Sequence, residues 1–182
     1  MLRLLAVGAL VAGTAGAADV VLPMSPVGQF WTKSVPSFQA AWLETEENPF
    51  GILDRVDLKL RRFVARHNLN QVKPLIIEFP DLGWEPGKAK VRFMVPLPPD
   101  SRVLAPEGEE ISIDAWEGCP VASLSFKGAY TWENVRPRMR QMADWIQKQN
   151  RVIEGRPRLL IYHHLAFRLD WMRCAELQVP VR

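Results

Sequence analysis

The stretch that decides the fold runs from residue 60 to residue 79 and reads LRRFVARHNLNQVKPLIIEF. It joins the end of an amphipathic helical pattern to a short apolar run of the kind that forms a buried strand. The same pattern returns 82 to 84 residues later, where Leu60 aligns with Met142 and Leu75-Ile76-Ile77 aligns with Leu159-Leu160-Ile161. Element order and length agree although identity is low, so the sequence predicts an internal duplication.

The first copy, about residues 35–98, has a helix between extended segments. Asn48 is placed to cap this helix, Pro49 fits its first position, and its apolar face continues to about residue 67. The extended segments are predicted at 35–45, 74–79 and 89–95, the last of which alternates apolar and polar side chains.

The second copy, about residues 110–182, repeats that order. Its helix is expected to begin at Thr131 or Asn134 and to end near Asn150. The strands of this copy are predicted at 110–116, 121–127, 159–163 and 174–181. The fold class is therefore α+β, with a duplicated strand-helix-strand-strand unit that forms an antiparallel eight-stranded sheet or distorted barrel. Two main helices on one face would leave between them a groove floored by the sheet.

The first 18 residues have the features of a secretory signal peptide: one early positive charge, an apolar run, and small residues before Asp19. A transmembrane anchor is the competing interpretation, but the apolar run is shorter than the roughly 18 to 20 residues that a span requires. We expect an exported protein, periplasmic or secreted, with residues 19–182 forming one domain and no membrane span.

The charge balance argues against a nucleic-acid partner. Removal of Arg3 with the signal peptide leaves 22 basic and 20 acidic side chains, and 22 − 20 gives a net charge of +2. The basic residues are spread over amphipathic helices, where a solvated face explains them. No helix-turn-helix pattern precedes the domain.

The two cysteines, Cys119 and Cys174, are candidates for a disulfide in an oxidising compartment. Their spacing matches neither a zinc site nor a Cys-x-x-Cys-His haem attachment sequence. Covalent c-type haem is therefore not expected.

The second half carries a family resemblance. Val121-Ala122-Ser123-Leu124-Ser125-Phe126-Lys127 leads into Gly128-Ala129-Tyr130, and the chain closes with Glu176-Leu177-Gln178-Val179-Pro180-Val181. Together with Phe93-Met94-Val95-Pro96, this order resembles the SOUL haem-binding family and the related gyrase-inhibitor-like effector-binding domains. The resemblance covers roughly residues 35–182. It implies a non-covalently bound tetrapyrrole or another flat apolar ligand and usually no catalysis. The chain departs from the haem-binding pattern at residues 165–171, where a Pro-Trp-Thr-like turn is common.

Candidate ligand contacts follow from the chemistry that such a ligand needs, namely aromatic surface and a few polar groups. The aromatic candidates are Tyr130, Trp132, Trp145, Tyr162 and Trp171, for which burial in the core is the competing explanation. His163 and His164 are adjacent on a predicted strand, so only one of them can enter the groove and ligate haem iron. An ordinary strand histidine is the alternative there.

Two glutamates interrupt apolar strands, Glu78 in the first copy and Glu176 in the second. The resemblance places Glu176 in the ligand pocket, where it could pair with a cationic ligand, although an arginine could equally neutralise it. No catalytic motif is present. The sequence thus favours non-covalent binding of haem or another hydrophobic small molecule. The alternatives are a protein-interaction module of the cell envelope with an unknown protein partner, and a hydrolase that uses Glu176 as its base.

Overall fold

The computed structural model describes residues 22–67, 74–97, 110–162 and 169–182, so the proposed signal peptide lies outside the described residues. The eight strands, which we label β1 to β8, are Phe30–Val35, Phe38–Thr45, Leu75–Glu78, Val91–Leu97, Ser112–Trp116, Cys119–Lys127, Arg158–Ile161 and Cys174–Pro180. The helices are α1, Pro49–Arg66, and α2, Trp132–Lys148. A short 3-10 helix spans Asp170–Met172.

The strands form one antiparallel eight-stranded sheet in the order β1-β6-β8-β7-β3-β4-β2-β5. Its centre is the pairing of β3 with β7, where Ile76 lies opposite Leu160. These two residues are 84 positions apart in the sequence, the offset at which the two copies align, so a pseudo-two-fold axis passes between them. The predicted α+β class, the eight-stranded antiparallel sheet and the two main helices are confirmed.

Each copy has two strands before its helix, one more than the strand-helix-strand-strand unit. Both were predicted in the second copy, whereas only one was predicted in the first. Residues 35–45 were expected to be one extended segment, but the chain forms two strands that are separated at Pro36. The first strand of each copy pairs with the other copy, since β1 lies against β6 and β5 lies against β2. The two copies are thereby joined at both edges of the sheet as well as at its centre.

Both helices pack on the same face of the sheet and bury the larger core with it. The side chain of Asn48 caps α1 by accepting a hydrogen bond from the backbone N–H of Phe50 at 3.1 Å, and Pro49 opens the helix as predicted. Leu60 and Phe63 of α1 and Met139 and Met142 of α2 are fully buried against the sheet. This face therefore has the composition of an ordinary hydrophobic core between helices and a sheet.

The space between the N-termini of the two helices is filled, contrary to the groove expected there. Trp84, from the connection between β3 and β4, packs edge-on to Trp132 with ring centroids 5.3 Å apart. Phe79 contacts both Trp84 and Phe50 of α1. Because aromatic side chains occupy this position, the groove predicted between the helices is not where a ligand would enter.

The face of the sheet that the helices do not cover is curled and carries a second core, which we call the interior. It is enclosed by eight buried apolar residues: Leu22, Val35, Phe38, Ala40, Ile76, Met94, Val121 and Leu160. Leu22 belongs to the segment that precedes β1 and reaches this core from outside the sheet. The interior is thus covered by the chain's own N-terminal segment.

The curl brings the β1–β2 connection and the β5–β6 connection into contact with each other. The backbone N–H of Gly118, between β5 and β6, donates to the Ser37 hydroxyl between β1 and β2 at 2.9 Å. A side chain at Gly118 would place its Cβ 2.8 Å from the carbonyl oxygen of Val35 and 2.9 Å from the nitrogen of Ser37. Phe38 and Trp116 stack beside this crossing, with ring centroids 6.2 Å apart. Only glycine therefore allows the two connections to cross this closely.

Substitution Gly118→Ala should lower the free energy of unfolding by about 1–3 kcal/mol, because the new methyl group meets backbone atoms that cannot rotate away. Gly51→Ala is the control, since Gly51 lies in α1 with no atom within 4 Å of an added Cβ. Alanine there should leave stability unchanged or raise it by up to about 1 kcal/mol. Urea denaturation measures the free energy of unfolding of both variants. Equal effects of the two substitutions would contradict the close contact between the two connections at Gly118.

Candidate functional site

The interior contains a buried carboxylate. Glu176 lies in β8 with its side chain on the helix-free face and has no exposed surface. A carboxylate without water must accept hydrogen bonds or pair with a cation, because burial of an uncompensated charge costs several kcal/mol. The partners of Glu176 therefore define what this face of the sheet can bind.

The strongest partner is a lysine from an edge strand. Lys33 in β1 places its ammonium nitrogen 2.6 Å from Oε1 of Glu176, and its side chain is largely buried as well. From the N-terminal segment, the backbone N–H of Ser25 donates to Oε2 at 2.8 Å and the Ser25 hydroxyl to Oε1 at 3.3 Å. The charge of Glu176 is thus compensated by one ammonium group and one backbone amide.

Three further side chains of the sheet complete the shell. Gln178 Nε2 donates to Oε1 of Glu176 at 2.9 Å, and the Ser125 hydroxyl donates to Oε2 at 3.2 Å. The hydroxyl of Tyr162 reaches Oε2 at 3.4 Å. All three sit in β6, β8 or directly after β7, and their side chains share the helix-free face. The result is a fully bonded polar network within an apolar enclosure.

The N-terminal segment is held over this network through its backbone. Tyr162 donates its hydroxyl to the carbonyl oxygen of Leu22 at 2.9 Å, and Lys33 donates to the carbonyl oxygen of Pro23. The hydroxyls of Ser25 and Ser123 lie 2.7 Å apart. Leu22 and Ser25 are buried, whereas the residues between and after them, up to Gln29, are exposed. The segment thus inserts two residues and leaves the rest in solvent.

Glu78 lies on the same face in the first copy but in a separate cluster. It pairs with Arg158 at 3.3 Å, Arg156 at 3.5 Å and Arg92 at 3.6 Å. Arg92 also pairs with Glu44 at 2.7 Å. The sequence left open whether an arginine neutralises Glu176. In the structure arginines neutralise Glu78, whereas Lys33 neutralises Glu176.

Most of the predicted aromatic contacts lie away from Glu176. Tyr130 is in the helix-side core, where its hydroxyl donates to the carbonyl oxygen of Cys174 at 2.9 Å. Trp132 joins the aromatic cluster at Trp84, and Trp145 stacks on Phe30 at 5.2 Å. Trp171 is two-thirds exposed on the 3-10 helix. Of the predicted residues, the structure brings Tyr162 and Glu176 together, while His163 and His164 lie outside the described residues.

The candidate disulfide between Cys119 and Cys174 is not formed, because both cysteines are free. Cys119 begins β6, whereas Cys174 is paired with Lys127 at the other end of that strand. Eight residues of extended chain separate the two ends, or about 26 Å, and a disulfide needs Cα atoms within about 7 Å.

A cavity lies outside the interior, between β2 and α1. Its volume is about 1010 Å³, and its lining includes Leu43, Glu47, Ile52 and Lys59. Exposed ion pairs, among them Arg55–Glu47 and Lys59–Glu110, cross its surface. Such pairs are solvated and need no ligand to be stable. Burial and convergence of polar groups favour the Glu176 network as the candidate site.

Several residues of the network are absent from the predicted site. Lys33 and Ser25 precede the segments recognised in the repeat, and nothing local in their sequence marks them. Ser123 and Ser125 alternate with apolar residues in β6, a pattern that is typical of a strand with one face exposed to solvent. One signal for the two serines was nevertheless present in the sequence. Glu176 and Gln178 alternate with apolar residues in β8 in the same way, and β8 pairs with β6, so the polar residues of both strands lie side by side on one face.

Comparison with solved structures shows the same fold in proteins of very different sequence. The C-terminal domain of EcmrR superposes with a TM-score of 0.71 at 13% identity, over 85% of this chain and 97% of that one. A hydrolase from Listeria innocua gives 0.63 at 10%, over 87% and 94%. SAV2435 bound to tetraphenylphosphonium gives 0.53 at 11%, over 85% and 94%. Neither a protein-family model nor a curated protein matches the sequence.

The likeness is one of fold at identities of 10 to 13%, so it assigns no residue of this chain a role. Among the described residues, no helix is long and apolar enough to cross a membrane. In the same part of the chain, no group of three or more His, Cys, Asp or Glu residues is placed to hold a metal ion.

Burial raises the pKa of Tyr162 far above its usual range, and the charge of Glu176 and the hydrogen bond to it act in the same direction. Below about pH 10 the phenol is neutral in both the folded and the unfolded chain, so it contributes no pH dependence. Above that pH only the unfolded chain loses the proton. Stability therefore falls as pH rises, by up to about 1.4 kcal/mol per pH unit from this one group.

Substitution Tyr162→Phe should remove this contribution, so the free energy of unfolding of the variant should decline less steeply between pH 10 and 11.5 than that of the unchanged protein. Denaturant unfolding at a series of pH values gives the two slopes. Groups common to both proteins cancel in the difference. Parallel slopes would show that the phenol is accessible to hydroxide in the folded state.

Proposed function

We propose that the protein binds a small amphiphilic organic molecule non-covalently in the interior, with Glu176 and Lys33 at the polar end of the site. The observation that carries this proposal is the buried Glu176 network. A charge pair beneath an apolar enclosure contributes little to stability that apolar side chains would not also contribute, so its presence is better explained by recognition. The solved neighbour with tetraphenylphosphonium bound is consistent with a binding role for the fold.

Binding is favoured over catalysis by the surroundings of Glu176. Its two oxygens accept hydrogen bonds from Ser25, Gln178 and Ser125 and pair with Lys33, and the residue has no exposed surface. A general base needs a free lone pair within reach of the proton that it removes. The proposal therefore includes no hydrolytic step, although one neighbour of the same fold is a hydrolase.

The narrower proposal, an exported SOUL-like protein that binds haem non-covalently, is supported by the sequence resemblance and by the signal-like N-terminus. Because of this resemblance, haemin is used as a second probe beside tetraphenylphosphonium. Haemin and tetraphenylphosphonium differ in charge, since haemin carries two carboxylates and tetraphenylphosphonium is a cation. Removal of the negative charge at Glu176 should therefore change the affinities for the two probes in opposite directions if both contact the Glu176–Lys33 pair.

Titration with each probe, read by tryptophan fluorescence and by the Soret band for haemin, should show saturable binding. Trp42 and Trp116 pack against the interior and provide the fluorescence signal. Glu176→Gln should weaken tetraphenylphosphonium binding about tenfold, because the carboxylate is lost, and should strengthen haemin binding, because Lys33 is left unpaired.

The control is Glu47→Gln, which makes the same chemical change in the outer cavity beside α1. It should leave both dissociation constants unchanged. A response to Glu47→Gln and none to Glu176→Gln would move the site to that cavity. Absence of saturable binding of either probe to any of the three proteins would overturn the proposal.

A further inference from the structure

The N-terminal segment Leu22–Ser25 has the contacts of a bound ligand. Four of them are made by main-chain atoms or by one apolar side chain: the Leu22 side chain in the interior, the carbonyl oxygens of Leu22 and Pro23, and the N–H of Ser25. Recognition of an extended peptide typically divides in this way, with main-chain hydrogen bonds supplying affinity and a pocket supplying specificity.

The chemistry of the site matches a peptide better than a simple cation or hydrocarbon. Glu176 is already paired with Lys33, so a cation would have to compete with an ammonium group 2.6 Å away. A purely apolar molecule would leave the Tyr162 hydroxyl and Lys33 without the carbonyl acceptors that they now have, which costs about 1–3 kcal/mol for each buried group. A peptide bond supplies both the acceptor and the donor.

The segment can leave without opening the sheet. It is joined to β1 through Gly28, which adopts a φ of +79° with nothing near its Cβ position. Its only ladder contact is an isolated bridge between Val27 and Ser125, supplemented by the hydrogen bond from the Gly28 N–H to the Ser125 carbonyl at 2.8 Å. Within residues 22–29, burial is confined to Leu22 and Ser25. The attachment therefore depends mainly on those two residues.

We propose that the interior recognises a short extended peptide with an apolar side chain, and that Leu22–Ser25 occupies this site in cis until such a peptide displaces it. This inference rests on the proposed function, because it uses the same interior, and it narrows the class of ligand. A tethered segment acts at an effective concentration in the millimolar range. The apparent dissociation constant of an incoming peptide is its intrinsic value divided by the fraction of molecules in which the segment is undocked.

The probe is an acetylated and amidated peptide with the sequence of residues 21–27, VLPMSPV, labelled for fluorescence anisotropy. The full chain carrying Leu22→Asp is the receptor, because an aspartate in the apolar interior expels the tethered segment. Met24→Asp is the matched control: it introduces the same charge two residues away, on a side chain that is 37% exposed and outside the interior.

The Leu22→Asp protein should bind the peptide at least about tenfold more tightly than the unchanged and Met24→Asp proteins do. A peptide with aspartate in place of its leucine should bind none of the three. Amide exchange verifies the receptor. The Ser25 N–H should lose protection in Leu22→Asp, whereas the Val181 N–H, which donates to the carbonyl oxygen of Pro120, should keep it. Leu22→Ala serves as the milder receptor if Val181 is not protected.

Equal peptide affinity in all three proteins, or no binding to a receptor with an exposed Ser25 and an intact Val181, would overturn the inference. In that case saturable binding of tetraphenylphosphonium or haemin would leave the proposed function standing, and the segment would be a fixed part of the fold. Peptide binding without binding of either small molecule would instead overturn the small-molecule proposal and retain the peptide site.

Discussion

The structure depends on the pairing of two four-residue strands, β3 and β7, at the pseudo-two-fold axis. Each copy by itself offers a small sheet with one helix, and its third strand would be left as an unpaired, fully buried edge. Pairing Ile76 with Leu160 removes both edges at once and produces a continuous sheet long enough to curl. The exchange of β1 and β5 between the copies then fixes the curl. The interior exists because of this junction and is not a property of either copy.

A sheet that is apolar on both faces must be covered on both, and here the two faces are covered differently. The helices cover one face and bury the larger core with it, and the aromatic cluster at Trp84 lies between their N-termini. On the other face the curl covers most of the surface, and Leu22 fills what remains. Burial of one leucine side chain contributes about 1.5–3 kcal/mol, enough to hold a segment in place but within the range that a modest ligand can overcome. A cover of this strength suits a site that opens.

The sequence predicted the elements with strong local patterns and failed where the determinants are non-local. The amphipathic period of α1, its Asn48 cap and the Leu-Ile-Ile and Leu-Leu-Ile runs depend on residues within one or two turns of each other. The strand β1 was missed because Phe30 to Val35 has polar residues on both faces, and it becomes a strand through its pairing with β6 across almost ninety residues. For the same reason the resemblance found Glu176 but not Lys33, its partner from β1.

The two copies share a backbone but differ at the position of Glu176, so the network around that residue forms in one half. Met94 is paired with Ile76 in the first copy and Glu176 is paired with Leu160 in the second, so Met94 occupies the position that corresponds to Glu176. The buried carboxylate of the first copy, Glu78, is paired with three arginines, Arg92, Arg156 and Arg158. Glu176 has no exposed surface, so its charge is met inside by Lys33 and by a backbone amide. Part of the compensation in the second half comes from outside the sheet, through the backbone amide of Ser25. The divergence of the two halves therefore couples the N-terminal segment to Glu176.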